Sequence, residues 1–341
     1  MPTQQRADIP WQPGLSLRNS NGDIDSSTLG YQYAKQTTNL VRPQVVAQKY
    51  YTVPLAEFVP VIIGSGAWME GIITNLTYDA AGDFESGIIS VADPSRIAQV
   101  SAGLAPKLAK ITTWAKGYTY STPEVEKAMA SNNWDVVAAK LSALKRNWDL
   151  GIQKIGFLGS KVDPVGIPGL LSSPDVNVDT AIITKAISAM SADELTTFIS
   201  LILGDAFANS NSTVKPNRWV MPMKDFLGLG VPYSSAYPNV SKLSYLTQML
   251  RELSEDASFK ISGLAYCDQA NNAGYWAVNG TNRHILYRKD PETLKMDIPV
   301  DFQLGAPGTG NNFNWEGVGV GQFTGAIFYR PREAKYYDWA A

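Results

Sequence analysis

Apolar residues recur every three or four positions through the middle of the chain: Trp134, Val137, Leu141, Leu144, Trp148, Ile152 and Ile155. That is the spacing of one face of an α-helix. Ser121-Thr-Pro-Glu124 opens the pattern. Ser or Thr caps the helix, Pro loses nothing in a first turn whose N–H groups have no partner, and Glu lies near the positive end of the helix dipole. The spacing predicts a spine from Ser121 to Ile155, with Ser131-Asn-Asn133 as the point where it can divide into two helices. Only Gly151 weakens the rest, and a run this long exceeds most globular helices. Beyond it the chain becomes punctuated by Gly and Pro, from Gly156 through Gly166-Ile-Pro-Gly-Leu-Leu-Ser-Ser-Pro174.

Before the spine the pattern is extended rather than helical. Residues Met1 to Arg42 are polar and carry loop signals such as Asn19-Ser-Asn-Gly-Asp23, with Trp11, Tyr31, Tyr33 and Leu40 interspersed. Two readings stay open there: a disordered tail, or an arm that orders against a neighbouring subunit. Val45-Val-Ala47, Tyr50 to Pro54 and Phe58 to Ile63 read as short strands broken by Pro. Trp68 to Tyr78 is a further strand signal, Asp79-Ala-Ala-Gly-Asp83 a turn, and Gly87 to Ala92 a second extended run. Lys110 to Tyr120, rich in β-branched and aromatic residues, is the return strand. A two-stranded excursion between Trp68 and Ile111 is poorly stable alone and needs a partner surface.

After the spine, helix and strand signals mix. Asp179 to Asn209 reads as two helical patterns, with a capping box at Ser191-Ala-Asp-Glu194 and a stripe of Phe198, Leu201, Ile202 and Phe207. Arg218 to Pro222 reads as a buried strand, Met223 to Leu229 as a short helix and Leu243 to Ser254 as an amphipathic helix. Strand signals follow at Phe259 to Ile261, Tyr275 to Val278, His284 to Arg288 and Leu294 to Val300, with a hairpin signal at Asn279-Gly280. Gly317 to Arg332 reads as one Gly-rich closing strand. The fold class is α+β.

This order of elements resembles the major capsid proteins of tailed bacteriophages, the Hong Kong phage capsid fold to which encapsulin shells are related. The resemblance implies an N-terminal arm over 1–43, the start of the P-domain over 44–66 and an extended E-loop over 67–110. It further implies a P-domain with the spine helix over 111–217, an A-domain over 218–310, and a closing strand and C-terminus over 311–341. The implied function is structural: self-assembly as a homo-oligomer into hexamers and pentamers of an icosahedral shell enclosing phage double-stranded DNA. The location implied is the virion, assembled in the host cytoplasm, with scaffolding, portal and cement proteins as partners. Some members cross-link through a lysine in the E-loop. No lysine lies between Lys49 and Lys107, so non-covalent contacts or a cement protein are expected instead. The chain has room for an arm but not for a long scaffolding segment, so a separate scaffold, or none, is expected. An encapsulin-like nanocompartment shell is the alternative, against which the long arm counts.

Composition adds exclusions. Of 341 residues only 18% are charged and the net charge is −2, which suits a protein that buries surface against its own copies. No basic tail or face is evident, so packaged DNA would be enclosed without sequence-specific binding. Cys267 and His284 are single, which excludes an intrachain disulfide and a His/Cys zinc site by count. Gly308-Thr-Gly310 and Gly317 to Gly321 lack the Gly-Lys-Ser/Thr ending and flanking elements of a phosphate loop. Glu70, Asp83, Glu85, Glu255 and Glu316, with nine Trp and sixteen Tyr, leave a carbohydrate-active hydrolase as a third reading. No catalytic, cofactor-binding or metal residue is assigned, no cofactor is expected and the chain is not expected to be an enzyme. The polar start of the sequence and its lack of a long apolar run lead to the expectation of no signal peptide and no membrane-spanning segment.

Overall fold

A computed structural model describes residues 49–64, 68, 71–79, 103–132, 135–160, 166–272, 275, 281–311 and 313–339. The chain divides after Tyr51 into two units, and the elements named below belong to the second, Thr52–Ala341. The polar N-terminal stretch, the run Gly87 to Ala92 with the turn before it, Trp134 and the Asn279-Gly280 hairpin signal lie outside the described residues.

The start of the strand expected over Phe58 to Ile63 is instead a helical turn, α1 (Leu55–Phe58). The amides of Glu57 and Val59 bond back to the Pro54 and Leu55 carbonyls at 3.1 and 2.9 Å. That turn sets the Phe58 ring edge-on to Phe157, with centroids 5.3 Å apart. Strand β1 covers only Val61–Ile63. Strands β2 (Ile72–Asp79) and β3 (Gly103–Lys110) pair antiparallel as a ribbon. The expected return strand is divided at Ile111, whose amide donates to the Gly71 carbonyl at 3.0 Å. Past that bond, β4 (Thr112–Ser121) leaves the ribbon and pairs in another sheet.

The spine is two helices, α2 (Thr122–Asn132) and α3 (Val136–Leu158). Each has its own cap. Ser121 Oγ accepts from the Glu124 amide at 3.3 Å, and Asp135 Oδ1 from the Ala138 amide at 2.9 Å. On α3, Leu144, Trp148 and Ile152 are buried as the spacing predicts, while Val137, Leu141 and Ile155 are partly buried. Gly159 ends the helix at φ +75°. A Cβ there would lie 2.2 Å from the Ile167 carbonyl oxygen, so only glycine fits. The amides of Leu170 and Leu171 then bond to the Gly156 and Phe157 carbonyls at 2.8 and 2.9 Å. The Gly-Ile-Pro-Gly-Leu-Leu run is therefore folded back onto the last spine turn, and both leucines are fully buried.

Strand β5 (Asn177–Asp179) follows. The first of the two helices expected after Asp179 is absent. Asp179 Oδ1 accepts from the Ala181 and Ile182 amides at 2.8 and 2.9 Å, a local turn that competes with a helix. A single 3₁₀ turn forms at Ile187–Ala189, yet Ile183, Ile187 and Met190 are still buried. Helix α4 (Ala192–Asn209) carries the complete capping box of Ser191 and Glu194. Its buried stripe is Leu195, Phe198, Ile199, Ile202, Leu203 and Ala206; Leu201, expected inside, is 52% exposed.

Strand β6 (Arg218–Pro222), helix α5 (Met223–Gly228), a hairpin of β7 (Pro232–Ser234) and β8 (Tyr237–Ser241), and helix α6 (Lys242–Ser254) come next. They are followed by β9 (Lys260–Leu264), α7 (Gln269–Asn272), β10 (Asn282–Tyr287) and β11 (Leu294–Ile298). Strands β12 (Val300–Leu304), β13 (Gly308–Asn311) and β14 (Asn314–Phe323) precede the C-terminal end. The single closing strand expected over Gly317 to Arg332 is two, β14 and β15 (Ile327–Phe328), and β16 (Ala334–Trp339) follows it. The break comes where the Thr324 and Ala326 amides turn aside to the Asp297 and Pro168 carbonyls, both at 2.9 Å.

One five-stranded sheet, ordered β5-β16-β10-β6-β9, separates two cores. Val220, Ile285 and Tyr336 point to the core that holds Trp148, Phe157, Leu170 and Leu171. Their neighbours Trp219, Leu286 and Tyr337 point to the core built with α4 and α6. This two-residue alternation is what a sheet buried on both faces requires. The spine lies over a second sheet, in which β14 pairs with β4 along its whole length. Glycines 317, 319 and 321 stand at alternate positions of β14 and leave one strand face bare. A Cβ on Gly321 would lie 2.4 Å from Trp148, and one on Gly319 2.8 Å from Leu144. The high glycine content of this strand lets the spine side chains reach the strand backbone.

Candidate assembly surfaces

The ribbon of β2 and β3 hydrogen-bonds to no other strand among the described residues. Its two faces differ. Ile73, Asn75, Lys107 and Ala109 are half-buried or buried, and between them Ile72, Thr74, Leu108 and Lys110 are exposed. Period-two alternation assigns the first set to a face turned to the body and the second to a face turned outward. The outward face is not polar: Ile72 is 56% and Leu108 61% exposed. Two large apolar side chains on the open face of an isolated ribbon are the kind of surface that a partner covers. A second such surface lies at α5 and the β7–β8 hairpin, where Leu227 is 71% and Tyr237 64% exposed and Val231 and Val240 are exposed beside them in sequence.

The body holds the inner face of the ribbon by polar contacts. Asn75 Nδ2 donates to the Tyr329 hydroxyl and Lys295 Nζ donates to Asn75 Oδ1, each at 2.8 Å. Lys107 Nζ meets Asp175 Oδ2 at 2.5 Å. Sequence reading did not single out Asn75 or Lys107, because their partners lie far along the chain. It also missed Arg283 and Asp338, a buried pair at the centre of the five-stranded sheet.

The residues weighed for chemistry are not brought together. His284 is fully buried on β10, with Nε2 3.4 Å from Asp225 Oδ2 and its ring tilted against Trp219. Burial holds its pKa below the ordinary histidine value, although Asp225 and Asp338 pull the other way. Cys267 is fully buried, and burial pushes its thiol well up, the opposite of an activated nucleophile. Glu255 follows α6 and pairs with Lys215 at 3.0 Å, whereas Glu316 lies on strand β14. Glu70, Asp83 and Glu85 lie outside the described residues. The glycine runs at 308–310 and 317–321 are β13 and β14, neither of which opens a helix. Among the described residues no cluster of His, Cys, Asp and Glu could hold a metal. A cleft of about 630 Å³ runs beside the spine, lined by Pro54, Lys145, Arg146, Asp149 and Asp301 among others. It contains no histidine or cysteine.

Residues 87–339 match the family described as "Major capsid protein". The chain belongs to the major capsid protein family. Solved structures give the same fold. The capsid of Myoviridae phage XM1 is similar with a TM-score of 0.71 at 15% identity, over 89% of this chain and 97% of that one. A Mycobacterium phage Ogopogo chain is similar with a TM-score of 0.55 at 12% identity, over 91% and 99%. The capsid of a native GTA particle gives 0.54 at 10% identity, over 89% and 96%. No curated protein sequence matches the chain. The tailed-phage capsid fold expected from the order of elements is therefore the fold observed. The encapsulin-like alternative is not favoured, and the glycan-hydrolase reading gives way to a structural role. This capsid protein works by assembling with its own copies into the shell of a virion. No helix among the described residues is long and apolar enough to cross a membrane.

Proposed function

We propose that this capsid protein builds hexamers and pentamers that close into an icosahedral shell around double-stranded DNA, and that it catalyses no reaction. The observation that carries the proposal is the outward ribbon face, where Ile72 and Leu108 stand exposed and, among the described residues, no third strand joins the ribbon. In a shell of copies, the ribbon lies across the adjacent subunit and buries that face. The residues of 1–43 serve as an arm in the same way, 67–110 as the E-loop, 44–66 and 111–217 as the P-domain, 218–310 as the A-domain and 311–341 as the closing segment. A ring of five or six copies is a heterologous arrangement that closes. Net charge near zero and the absence of a basic run in the sequence favour enclosing DNA over gripping it.

Assembly in the host cytoplasm, with portal, cement and separate scaffolding proteins, completes the reading. The absence of chemistry is supported by the burial of the sole histidine and sole cysteine in the cores. Electron cryomicroscopy of particles made by the full chain tests the assignment. Rings of six and five subunits, with each ribbon on its neighbour, are expected. Particles whose ribbons contact only their own subunit would overturn it.

A further inference from the structure

Asn75 and Lys107 face each other directly across the ribbon in the β2–β3 register. Directly opposed residues of an antiparallel pair point to the same face. The body holds this one rung from both sides. On the β2 side, Asn75 is bonded to the Tyr329 hydroxyl and to Lys295 Nζ. The Lys295 ammonium also lies 4.9 Å from the centre of the Tyr329 ring, which fixes both partners together. On the β3 side, Lys107 reaches Asp175, which follows the folded-back Gly-Ile-Pro-Gly run.

The space around the rung is loose. A cavity of about 200 Å³ lies between the ribbon root and the body, lined by Lys107, Lys110, Pro168, Asp175 and Phe328 among others. Below the rung, the chain enters and leaves the ribbon at Gly71 and Ile111, joined by one backbone hydrogen bond. A Cβ on Gly71 would meet nothing within 4 Å.

We infer that the Asn75–Lys107 rung is a releasable clamp that sets the angle of the ribbon to the body, with Gly71 and Ile111 as the hinge. Every side-chain bond of the clamp is polar and at least one partner of each is reachable by water, so release uncovers, on the described inner face of the ribbon, only the Ala109 methyl and the half-buried Ile73. The Lys107–Asp175 arm, at 28% and 48% side-chain exposure, is the weaker one. The Asn75 arm makes two bonds and is the stronger. A clamp of this kind holds the ribbon in one orientation before a neighbour covers its outer face, and lets it swing once that contact outweighs two polar arms. The inference rests on the capsid reading for its purpose, but not for its test.

The test is a distance measurement between spin labels on the full chain kept dilute, as free subunits or capsomers. Labels are placed at Thr74→Cys on the outer ribbon face and Leu201→Cys on α4, both exposed; the native Cys267 is buried and does not label. The intact clamp should give one narrow distance. The double variant Asn75→Ala/Lys107→Met should broaden it by on the order of 3 Å, the arc that a swing of about 20° gives at three residues from the hinge. The body-side triple Tyr329→Phe/Lys295→Met/Asp175→Ala should do the same and guards against loss of ribbon folding in the first variant. A narrow distance retained in both variants, or a broad one in the unaltered clamp, overturns the inference. Since the measurement needs no shell, it stands or falls separately from assembly.

Discussion

Arg283 and Asp338 form a two-bond pair inside the five-stranded sheet, Nε to Oδ1 and Nη2 to Oδ2 both at 2.6 Å. They are direct partners in the β10–β16 register. A third bond from the same guanidinium reaches the Leu171 carbonyl at 2.6 Å, and the group lies 4.3 Å from the centre of the Tyr336 ring. One side chain thereby ties the last strand to the turn that follows the spine.

Breaking this pair leaves a buried charge without its partner. Asp338→Asn or Arg283→Met should destabilise the subunit by about 3–5 kcal/mol, because the remaining group is desolvated and uncompensated. Denaturant titration with intrinsic fluorescence reads the change. A loss below about 1 kcal/mol, the scale of a surface pair, would contradict the account.

The bare face of β14 makes a second prediction. Trp148 is 3% exposed and held by Trp114, Phe302 and Phe323, so it cannot give way to a new methyl group. Gly321→Ala should therefore cost about 1–3 kcal/mol by overpacking. Gly308→Ala on β13, where a Cβ meets nothing within 4 Å, should cost less. Thermal unfolding of the two variants compares them. Equal losses would mean that the spine does not rest on the glycines.

His284 predicts a pH dependence. Its folded-state pKa lies below the ordinary value of 6.5 because the ring is buried. The unfolded chain then binds the proton first as pH falls. Stability is fully present above pH 6.5 and is lost on acidification towards the folded-state value. Half-buried Asp268 and buried Asp297, whose pKa values desolvation raises, give the opposite slope. Comparison with His284→Phe removes their share. The denaturation midpoint of the unaltered protein should fall relative to that of the variant between pH 7.5 and 5.5. Parallel curves would show that the imidazole does not titrate with folding.

Much of this was legible in the sequence. The spine stripe, the Ser121 cap, the Ser191–Glu194 box and strand β6 follow local rules, and local rules can be read locally. The order of those elements carried the capsid resemblance. What escaped depends on partners far along the chain. Arg283 and Asp338 are 55 residues apart, and nothing in either segment sets their register. Asn75 and Tyr329 are 254 apart. The glycines of β14 did carry a signal, their spacing of two, but its meaning needed the spine above them. Leu201 was misplaced because the buried stripe of α4 runs through Leu195, Phe198, Ile199, Ile202, Leu203 and Ala206, and Leu201 stands off that face of the helix.

The outer ribbon face gives the assembly prediction. Ile72→Ser and Leu108→Ser together should leave subunit stability within about 0.5 kcal/mol, since both residues are exposed. The yield of closed particles from the same expression should fall sharply. Unchanged particle yield would place the contact elsewhere.

The most direct measurement is the particle mass of purified full-length protein by analytical sedimentation, with negative-stain imaging of the same sample. Closed shells, tubes, or free rings of five and six copies are the predicted result. A monomer or dimer that persists at high concentration, with scaffold supplied, would contradict the claim that this chain builds a shell.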